Sequence, residues 1–386
     1  MYGVGLNVYW LQNYGVRASA SSRRKQLEQR TYALMAKKLK GCFGKILSLP
    51  ILFSAFAINM GCAAAATGTG VIVPAANPQP CDLLASTTPC VAAISTTRAL
   101  YSGYTGALYQ VTRQSDQTTA DIGLLSDGYA NAAAQDTFCA NTTCTITKIY
   151  DQSANHNDLT PAPPGGAAKG PGPNGYDLPA VANALPAMVG GHKVYGIAIS
   201  AGMGYRNDTP TGTAVHGQPE GVYMVSSALH LNTKCCFDFG NAEVNNLDND
   251  KGHMDAINVM CQGASPCAPT AGLDMENGIY GSLPVPNGTA FLTDMGASDG
   301  QHLYAIYQGN AQSGSLTTTG MLPLPSGYQP MQQEGAIILG IGGDNSNFAT
   351  GYFFEGVMTK GMPTQSALAV VQANIVKAGY AGTLQP

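Results

Sequence analysis

The apolar residues of this chain fall into short runs separated by turn-forming residues, and this pattern constrains the fold more than any other feature. Glycine and proline occur 47 and 23 times in 386 residues, and long amphipathic helical patterns are scarce. Runs of about four to eight residues between turn signals are typical of β-strands. Their succession favours an all-β sandwich. The clearest runs are Gly221–Val225, Tyr304–Tyr307, Ala336–Ile341 and Tyr352–Met358.

Two segments depart from the strand pattern. Near the carboxyl end, Leu368, Val371 and Ile375 fall on one face of a helix. Pro161–Gly175 contains clusters of proline and glycine, which predict a long surface loop.

The first 80 residues are interpreted as a leader and a linker. Residues 35–66 have the parts of a secretory signal peptide, namely basic residues, the apolar run Ile46–Met60, which is too short to span a membrane, and small residues suited to cleavage. Residues 1–34 are interpreted as spurious upstream translation or an unusually long leader, and residues 67–80 as a linker. We therefore predict a secreted, extracellular protein, with the periplasm or the cell surface as alternatives.

Removing the leader changes the charge of the chain. Nine of the 19 Lys and Arg residues lie at or before Lys45, whereas only one of the 23 acidic residues does. The remaining chain carries ten basic and 22 acidic side chains, a net charge of −12. Such a protein is not expected to bind nucleic acid or an anionic membrane surface, because both would repel it.

Eight of the ten cysteines lie after the leader, in close pairs. In an exported protein, disulfides are their natural state. Three pairs can each close a small loop, which leaves Cys235 and Cys236 with each other. Adjacent Cα atoms are about 3.8 Å apart, against about 4.4–6.8 Å in most disulfides, so this bond would close a tight turn of a kind found at functional sites. The alternative is that Cys235 and Cys236 pair elsewhere or remain thiols. The three loop-closing pairs are Cys81–Cys90, Cys139–Cys144 and Cys261–Cys267.

The segment Asp274–Asn277 is the first candidate for chemistry. If it is a strand, its period of two places Asp274 and Glu276 side by side on one face. Paired carboxyls suit the hydroxyl groups of a sugar or another polyol. The alternative is a solvated acidic face of a strand.

The second candidate is Asp344, which follows two glycines after an apolar run. Gly342 and Gly343 would let the backbone approach a ligand closely, with the Asp344 carboxyl at the tip of a loop. The alternative is a turn in which Asp344 caps its own backbone. Two further acids, Glu243 and Glu355, have apolar sequence surroundings and are interpreted as structural.

Seven strings between residues 80 and 382 carry a specific resemblance. They are Cys81…Cys90, STTRALY from Ser95, FCANTTC from Phe138, IYDQ from Ile149, CCFDFGNAE from Cys235, DMEN from Asp274 and EGAIILGIGGDNSN from Glu334. Together they resemble the catalytic domain of the α-L-arabinofuranosidase B family, glycoside hydrolase family 54.

The resemblance implies a two-sheet β-sandwich of jelly-roll, concanavalin-like type at residues 81–386. It implies retaining hydrolysis of terminal α-L-arabinofuranosyl groups from arabinan, arabinoxylan or related plant hemicellulose, without a metal or an organic cofactor. We expect a monomer, and no β-trefoil arabinose-binding module after the catalytic domain, since the sequence stops at Pro386. The alternative is a catalytically inactive, lectin-like arabinoside-binding protein or a surface adhesion protein.

The resemblance also implies roles for individual residues. Glu276 lies where the family has its nucleophile, and Asp344 where it has its general acid/base. Retention needs two carboxyls about 5–5.5 Å apart across the scissile bond. Family members carry a pocket tryptophan in the stretch before the nucleophile motif, whereas Cys261–Gly272 has no aromatic residue. The positions that match substrate contacts are Cys235, Cys236, Asp274, Asn277 and the backbone of Gly343.

Overall fold

The computed structural model describes residues 77–263 and 266–384. The predicted leader, 1–34, and signal peptide, 35–66, lie outside these residues, as does the linker up to residue 76. Pro80, assigned to the linker from the sequence, begins the first helix. The helices of the described residues are α1 Pro80–Leu84, α2 Ala132–Phe138 and α3 Gln365–Ala378.

Short strands make up most of the described secondary structure. The strands, in chain order, are β1 Cys90–Ser95, β2 Tyr109–Arg113, β3 Thr119–Ile122, β4 Cys144–Ile149, β5 Thr160–Pro161, β6 Leu185–Val189, β7 His192–Ile199, β8 Tyr205–Asn207, β9 Glu220–Ser226, β10 Asp238–Ala242, β11 Asp255–Cys261, β12 Pro269–Asp274, β13 Ile279–Pro284, β14 Leu292–Ser298, β15 Leu303–Asn310, β16 Ser313–Thr318, β17 Leu322–Pro323, β18 Ala336–Leu339, β19 Gly351–Lys360 and β20 Tyr380–Ala381.

Two large antiparallel sheets form the body of the fold. The ten-stranded sheet has the order β16-β15-β14-β9-β19-β7-β6-β20, with β1 paired to β19 and β17 paired to β15. The seven-stranded sheet has the order β13-β12-β11-β10-β18-β8-β5, and a small third sheet has the order β3-β2-β4. The predicted all-β sandwich is confirmed, and the four apolar runs lie in β9, β15, β18 and β19, the third of them extending to Ile341 past the end of β18. The third sheet was not predicted.

The two large sheets approach closely where a glycine on one faces a large side chain on the other. The Phe239 ring of β10 lies 5.4 Å from the Phe353 ring of β19, and a Cβ on Gly356 would lie 2.5 Å from an atom of the Phe239 ring. Leu273 of β12 packs over Gly296 of β14 in the same way, and a Cβ on Gly296 would lie 2.6 Å from a methyl carbon of Leu273. A side chain at either glycine would push the sheets apart, so these glycines set the sheet spacing.

A buried ion pair fastens α3 to the larger sheet. Arg98 donates to both carboxylate oxygens of Glu355 in β19, at 2.6 and 2.7 Å, and to the side chain of Asn374 in α3 at 2.8 Å. The Tyr380 hydroxyl donates to the same carboxylate at 2.7 Å. Removing one partner of a buried pair costs about 3–5 kcal/mol. Glu355 is therefore structural, as predicted, but its surroundings are polar rather than apolar.

Helix α3 is the helix predicted from the sequence. Leu368, Val371 and Ile375 are all buried, because they form the face that packs on the sheet. The Thr364 hydroxyl accepts a hydrogen bond from the Ala367 N–H at 3.2 Å and so caps the first turn. None of the described helices combines the length and the apolar character needed to cross a bilayer.

Asp294 in β14 couples fold stability to pH. It is fully buried, its Oδ2 accepts a hydrogen bond from Ser226 at 3.1 Å, and burial raises its pKa from 3.8 to about 8. The pKa of Asp294 is higher in the folded protein than in the unfolded chain. The contribution of Asp294 to the free energy of unfolding is therefore fully present below about pH 4 and is lost as the pH rises through about 8. The free energy of unfolding of the wild type should fall between about pH 4 and pH 9. In Asp294→Asn, which cannot ionise at this position, we expect this fall to be smaller by on the order of 5 kcal/mol.

Urea unfolding of wild type and Asp294→Asn at the two pH values measures this difference. Parallel pH profiles for the two proteins would contradict it.

Candidate active site

All seven residues predicted to form the site line one open cavity of about 370 Å³. It lies between the ends of strands β10, β12 and β18 of the smaller sheet. A larger groove of about 630 Å³, lined by Tyr101 and Tyr104, contains one acidic side chain, Asp127, and no acid pair. We therefore place the site in the smaller cavity. Its predicted lining residues are Cys235, Cys236, Asp274, Glu276, Asn277, Gly343 and Asp344.

Glu276 lies in a tight turn between two strands. Strand β12 ends at Asp274, and the Met275 N–H donates to the carbonyl oxygen of Gly278 at 3.1 Å, which closes the β12–β13 hairpin. Glu276 and Asn277 have φ angles of 66° and 54°, a left-handed conformation that is uncommon for residues with a side chain. The segment is therefore not a strand beyond Asp274, and the alternation of side chains considered for a strand does not apply to Glu276.

Two hydrogen bonds fix the Glu276 backbone in this turn. Its N–H donates to Oδ1 of Asp274 at 3.0 Å, and its carbonyl oxygen accepts from the Tyr328 hydroxyl at 2.8 Å. The residue is 7% exposed, and its Oε2 is buried without a hydrogen-bond partner among the described residues. The Glu276 carboxyl is thus held rigidly at its base and is available to a ligand at its tip.

The charge state of Glu276 depends on its burial and on two neighbours. Burial, with a smaller contribution from the negative charge of Asp344, raises the pKa of Glu276 to about 7, against the opposing charge of Arg206. Burial likewise raises the pKa of Asp274 to about 7. The negative charge of Asp344 contributes to both increases, because neighbouring carboxyls disfavour ionising together.

Asp344 lies in the loop after β18 and caps its own backbone. Its Oδ1 accepts from the N–H of Ser346 at 3.0 Å and from the Ser346 hydroxyl at 2.6 Å. The turn weighed as an alternative for this motif is therefore present, and Asp344 also lines the cavity. The cap fixes the carboxyl in place.

Arg206 supports the Asp344 loop from behind. Its guanidinium is buried and donates to the carbonyl oxygen of Gly343 at 2.5 Å. It also donates to the carbonyl oxygen of Glu243 and to the carboxylate of Asp208. A Cβ on Gly343 would overlap the Glu243 carboxylate, so the position requires glycine. Glu243, interpreted as structural, thus lies directly against the site.

The proline- and glycine-rich segment predicted as a surface loop also contacts the Asp344 loop. The Ala167 N–H donates to the carbonyl oxygen of Asp344 at 3.0 Å. Gly165 lies so close to the same carbonyl that a Cβ there would overlap it. This segment therefore helps to position Asp344.

The structure contains all four predicted disulfide bonds. The Cys235–Cys236 bond lies in the cavity wall and is tied to the Asp344 loop, because the Cys236 N–H donates to the carbonyl oxygen of Ser346 at 2.9 Å. The two sulfurs give the wall a rigid apolar surface.

The sulfurs and a carboxylate oxygen of Asp274 lie within 4.8 Å of one another. This spacing would suit a metal ion, but sulfurs bonded to each other are not the thiolates that a metal binds. The donor set therefore does not fit a metal while the disulfide is intact.

Sequence reasoning missed several residues around the cavity. Met254 and Ile279 line it, whereas none of the described residues of Cys261–Gly272, where the family has its tryptophan, does so. Asp238 of β10 is buried beneath the site, and burial together with the charge of Asp274 raises its pKa well above the ordinary value. Its position in the string CCFDFGNAE was a usable signal.

Known proteins resemble this chain in sequence and in structure. A family model described as the catalytic part of alpha-L-arabinofuranosidase B matches residues 80–381. A probable alpha-L-arabinofuranosidase B from Aspergillus flavus is 51% identical over 317 residues, which cover 78% of this chain and 62% of the relative. A second one, from Aspergillus clavatus, is 53% identical over 319 residues, which cover 79% and 63%. The chain thus spans just under two thirds of the length of these curated relatives.

A solved structure is similar to this chain in both fold and sequence. A crystal structure described as an arabinofuranosidase complexed with arabinofuranosyl-alpha-1,2-xylobiose has a TM-score of 0.74 and 49% sequence identity. The match covers 78% of this chain and 66% of that one. At this identity the likeness extends beyond the fold to the sequence.

Proposed function

This chain belongs to the family of α-L-arabinofuranosidase B catalytic domains, and from this premise we propose that it is a secreted retaining glycosidase. It removes terminal, non-reducing α-L-arabinofuranosyl groups from arabinan, arabinoxylan or related hemicellulose. One observation supports this above the others: Glu276 and Asp344, from two separate loops, line one cavity together with a vicinal disulfide.

In the first step, a carboxylate oxygen of Glu276 attacks the anomeric carbon of the arabinofuranosyl group. The bond from that carbon to the aglycone oxygen breaks, and Asp344 gives its proton to this oxygen. The products are a covalent arabinosyl-Glu276 ester and the free aglycone alcohol. Burial raises the pKa of Glu276 to about 7, so the carboxylate that this attack requires forms as the pH approaches neutrality, and the charge of Arg206 opposes the rise.

In the second step, the Asp344 carboxylate takes a proton from water, and the water oxygen attacks the same carbon. The ester bond breaks, Glu276 leaves as a carboxylate, and arabinose is released. Two inversions at one carbon give net retention. Asp344 then holds the proton needed for the next cycle.

The remaining lining residues bind the sugar. Asp274 and Asn277 supply hydrogen-bonding groups for its hydroxyls, and the backbone of Gly343, which lines the cavity, supplies another. The sulfurs of Cys235 and Cys236 form an apolar wall for one face of the furanose. A wall of this kind replaces the aromatic surface that many sugar sites use.

The same set of features supports export. Four disulfides are typical of an oxidising compartment, and the predicted signal peptide would supply the route. The acidic mature chain is compatible with neutral polysaccharides as substrates.

The function is tested by incubation with 4-nitrophenyl α-L-arabinofuranoside beside the matching β-D-xyloside and β-D-galactofuranoside. We expect release of nitrophenol from the arabinofuranoside above the other two. No release from any of them would favour the lectin-like or adhesion alternative.

The stereochemistry is a separate prediction. Proton NMR of the first-formed sugar should show the α-anomer of arabinose, because two displacements retain the configuration. Initial appearance of the β-anomer would rule out Glu276 as a nucleophile.

The vicinal disulfide is expected to serve substrate binding more than stability. A two-residue loop constrains the unfolded chain less than any longer one, whereas both sulfurs line the cavity. Replacing Cys235 and Cys236 by alanine should therefore raise KM or lower kcat by roughly tenfold or more, with a small change in Tm.

The matched control is the variant in which Cys81 and Cys90 are replaced by alanine. This variant should lose about 2–3 kcal/mol of stability and keep its activity. Kinetics and thermal unfolding of both variants measure the contrast. Full activity in the Cys235/Cys236 variant would refute the role in the pocket.

A further inference from the structure

Phe348 is a large apolar side chain exposed beside the cavity. It is 48% exposed, and its N–H donates to the carbonyl oxygen of Cys235 at 3.1 Å. Its own carbonyl oxygen accepts from the Asn232 side chain at 3.1 Å. Two residues earlier, Ser346 lines the cavity. Phe348 is therefore held next to the vicinal disulfide, just outside the space that the terminal sugar would fill.

Leu247 is a second exposed apolar side chain beside the same opening. It is 49% exposed and lies 3.4 Å from the position of a Cβ on Gly166, in the segment that contacts Asp344. The next residue, Asp248, accepts from the side chain of Asn277 at 3.3 Å. Leu247 thus adjoins the walls formed by Asp344 and Asn277, whereas Phe348 adjoins the wall formed by Cys235.

The placement of these side chains restricts what they can bind. The furanose being cleaved must lie between Glu276 and Asp344 inside the cavity, so the group to which it is attached extends toward the opening. A pyranose ring has faces made of C–H groups, which pack against aromatic and aliphatic side chains, while its hydroxyls remain in water. Exposed apolar side chains that cluster at a binding cavity can mark a ligand contact, and here two of them border the same opening.

We propose that Phe348 and Leu247 form an apolar rim that binds the aglycone of the substrate, a neutral pyranose unit of a polysaccharide backbone. The inference rests on the proposed function and extends it, because it assigns the preference for a sugar aglycone to two side chains outside the cavity. Phe348 supplies the larger contact.

The test compares two arabinofuranosides that differ in the aglycone. In methyl α-L-arabinofuranoside the aglycone is too small to reach the rim, whereas in an α-L-arabinofuranosyl xylo-oligosaccharide it is a pyranose chain. We expect Phe348→Ala to raise KM for the oligosaccharide by roughly 3- to 10-fold, the size of an aromatic contact, and to leave KM for the methyl glycoside within about twofold. Phe348→Trp should restore binding, and Leu247→Ala should show a smaller effect of the same kind.

Val370→Ala is the matched control, since Val370 is 50% exposed on α3, away from the cavity. It should change neither KM. Equal losses of Phe348→Ala on both substrates, or no loss on the oligosaccharide, would overturn the proposal and leave the proposed function in place. A wild-type protein that cleaves neither substrate would overturn the function itself, and the rim with it.

Discussion

Replacing Glu276 by glutamine is expected to lower kcat on every α-L-arabinofuranoside by about a thousandfold or more. The amide keeps the shape of the carboxyl but cannot attack the anomeric carbon, so no covalent intermediate forms. The hydrogen bonds that hold the turn involve only the Glu276 backbone, and the fold should therefore be unchanged. Rates with methyl and 4-nitrophenyl aglycones, together with a thermal melt, measure the effect.

An activated aglycone should not restore the activity of this variant, because the missing group is the nucleophile and not the proton donor. Asp127→Asn, which changes an acid in the larger groove, is the control and should retain wild-type rates. A Glu276→Gln protein that cleaves the nitrophenyl substrate within about tenfold of wild type would show that another group attacks the sugar.

Much of the fold could be predicted because it follows from local patterns. The apolar run 352–358 indicates a strand whichever sheet it joins, and Leu368, Val371 and Ile375 indicate a helical face without knowledge of its partner. The small sheet β3-β2-β4 could not be predicted in this way, since a strand such as Thr119–Ile122 is short, half polar and partly exposed. The pairing of β2 with β4 also joins residues distant in sequence, such as Arg113 and Cys144.

The site was only partly predictable, for a related reason. The pairing of Asp274 with Glu276 was expected from strand alternation, whereas it arises from a turn held by a side-chain hydrogen bond. The Asn277-Gly278 dipeptide that follows Glu276 is a local signal for a turn between two strands, and the hairpin and Tyr328 then hold Glu276 at its positive φ. Arg206 lies in no motif, and its role depends on the approach of β8 to the loop after β18. The long strings that resemble the family identified the acids, but they carried no information on these supports.

Replacing Asp344 by asparagine is expected to lower kcat/KM on methyl α-L-arabinofuranoside by about 10²- to 10⁴-fold, the usual contribution of general acid–base catalysis. Asparagine can still accept the Ser346 hydrogen bonds through its side-chain oxygen, so the loop should keep its conformation. An aglycone that leaves without protonation, such as 2,4-dinitrophenol, should restore most of the first step, and the covalent intermediate should then accumulate.

Added azide should relieve that accumulation, since it attacks the anomeric carbon without a general base, and the product should be the α-L-arabinofuranosyl azide, detected by mass spectrometry and NMR. The same additions should leave Glu276→Gln inactive, which separates the two roles within one set of experiments. Near-wild-type activity of Asp344→Asn on the methyl glycoside, or the absence of an azide product, would show that Asp344 is not the acid/base. Its hydrogen bonds to Ser346 would then account for its position in the cavity wall.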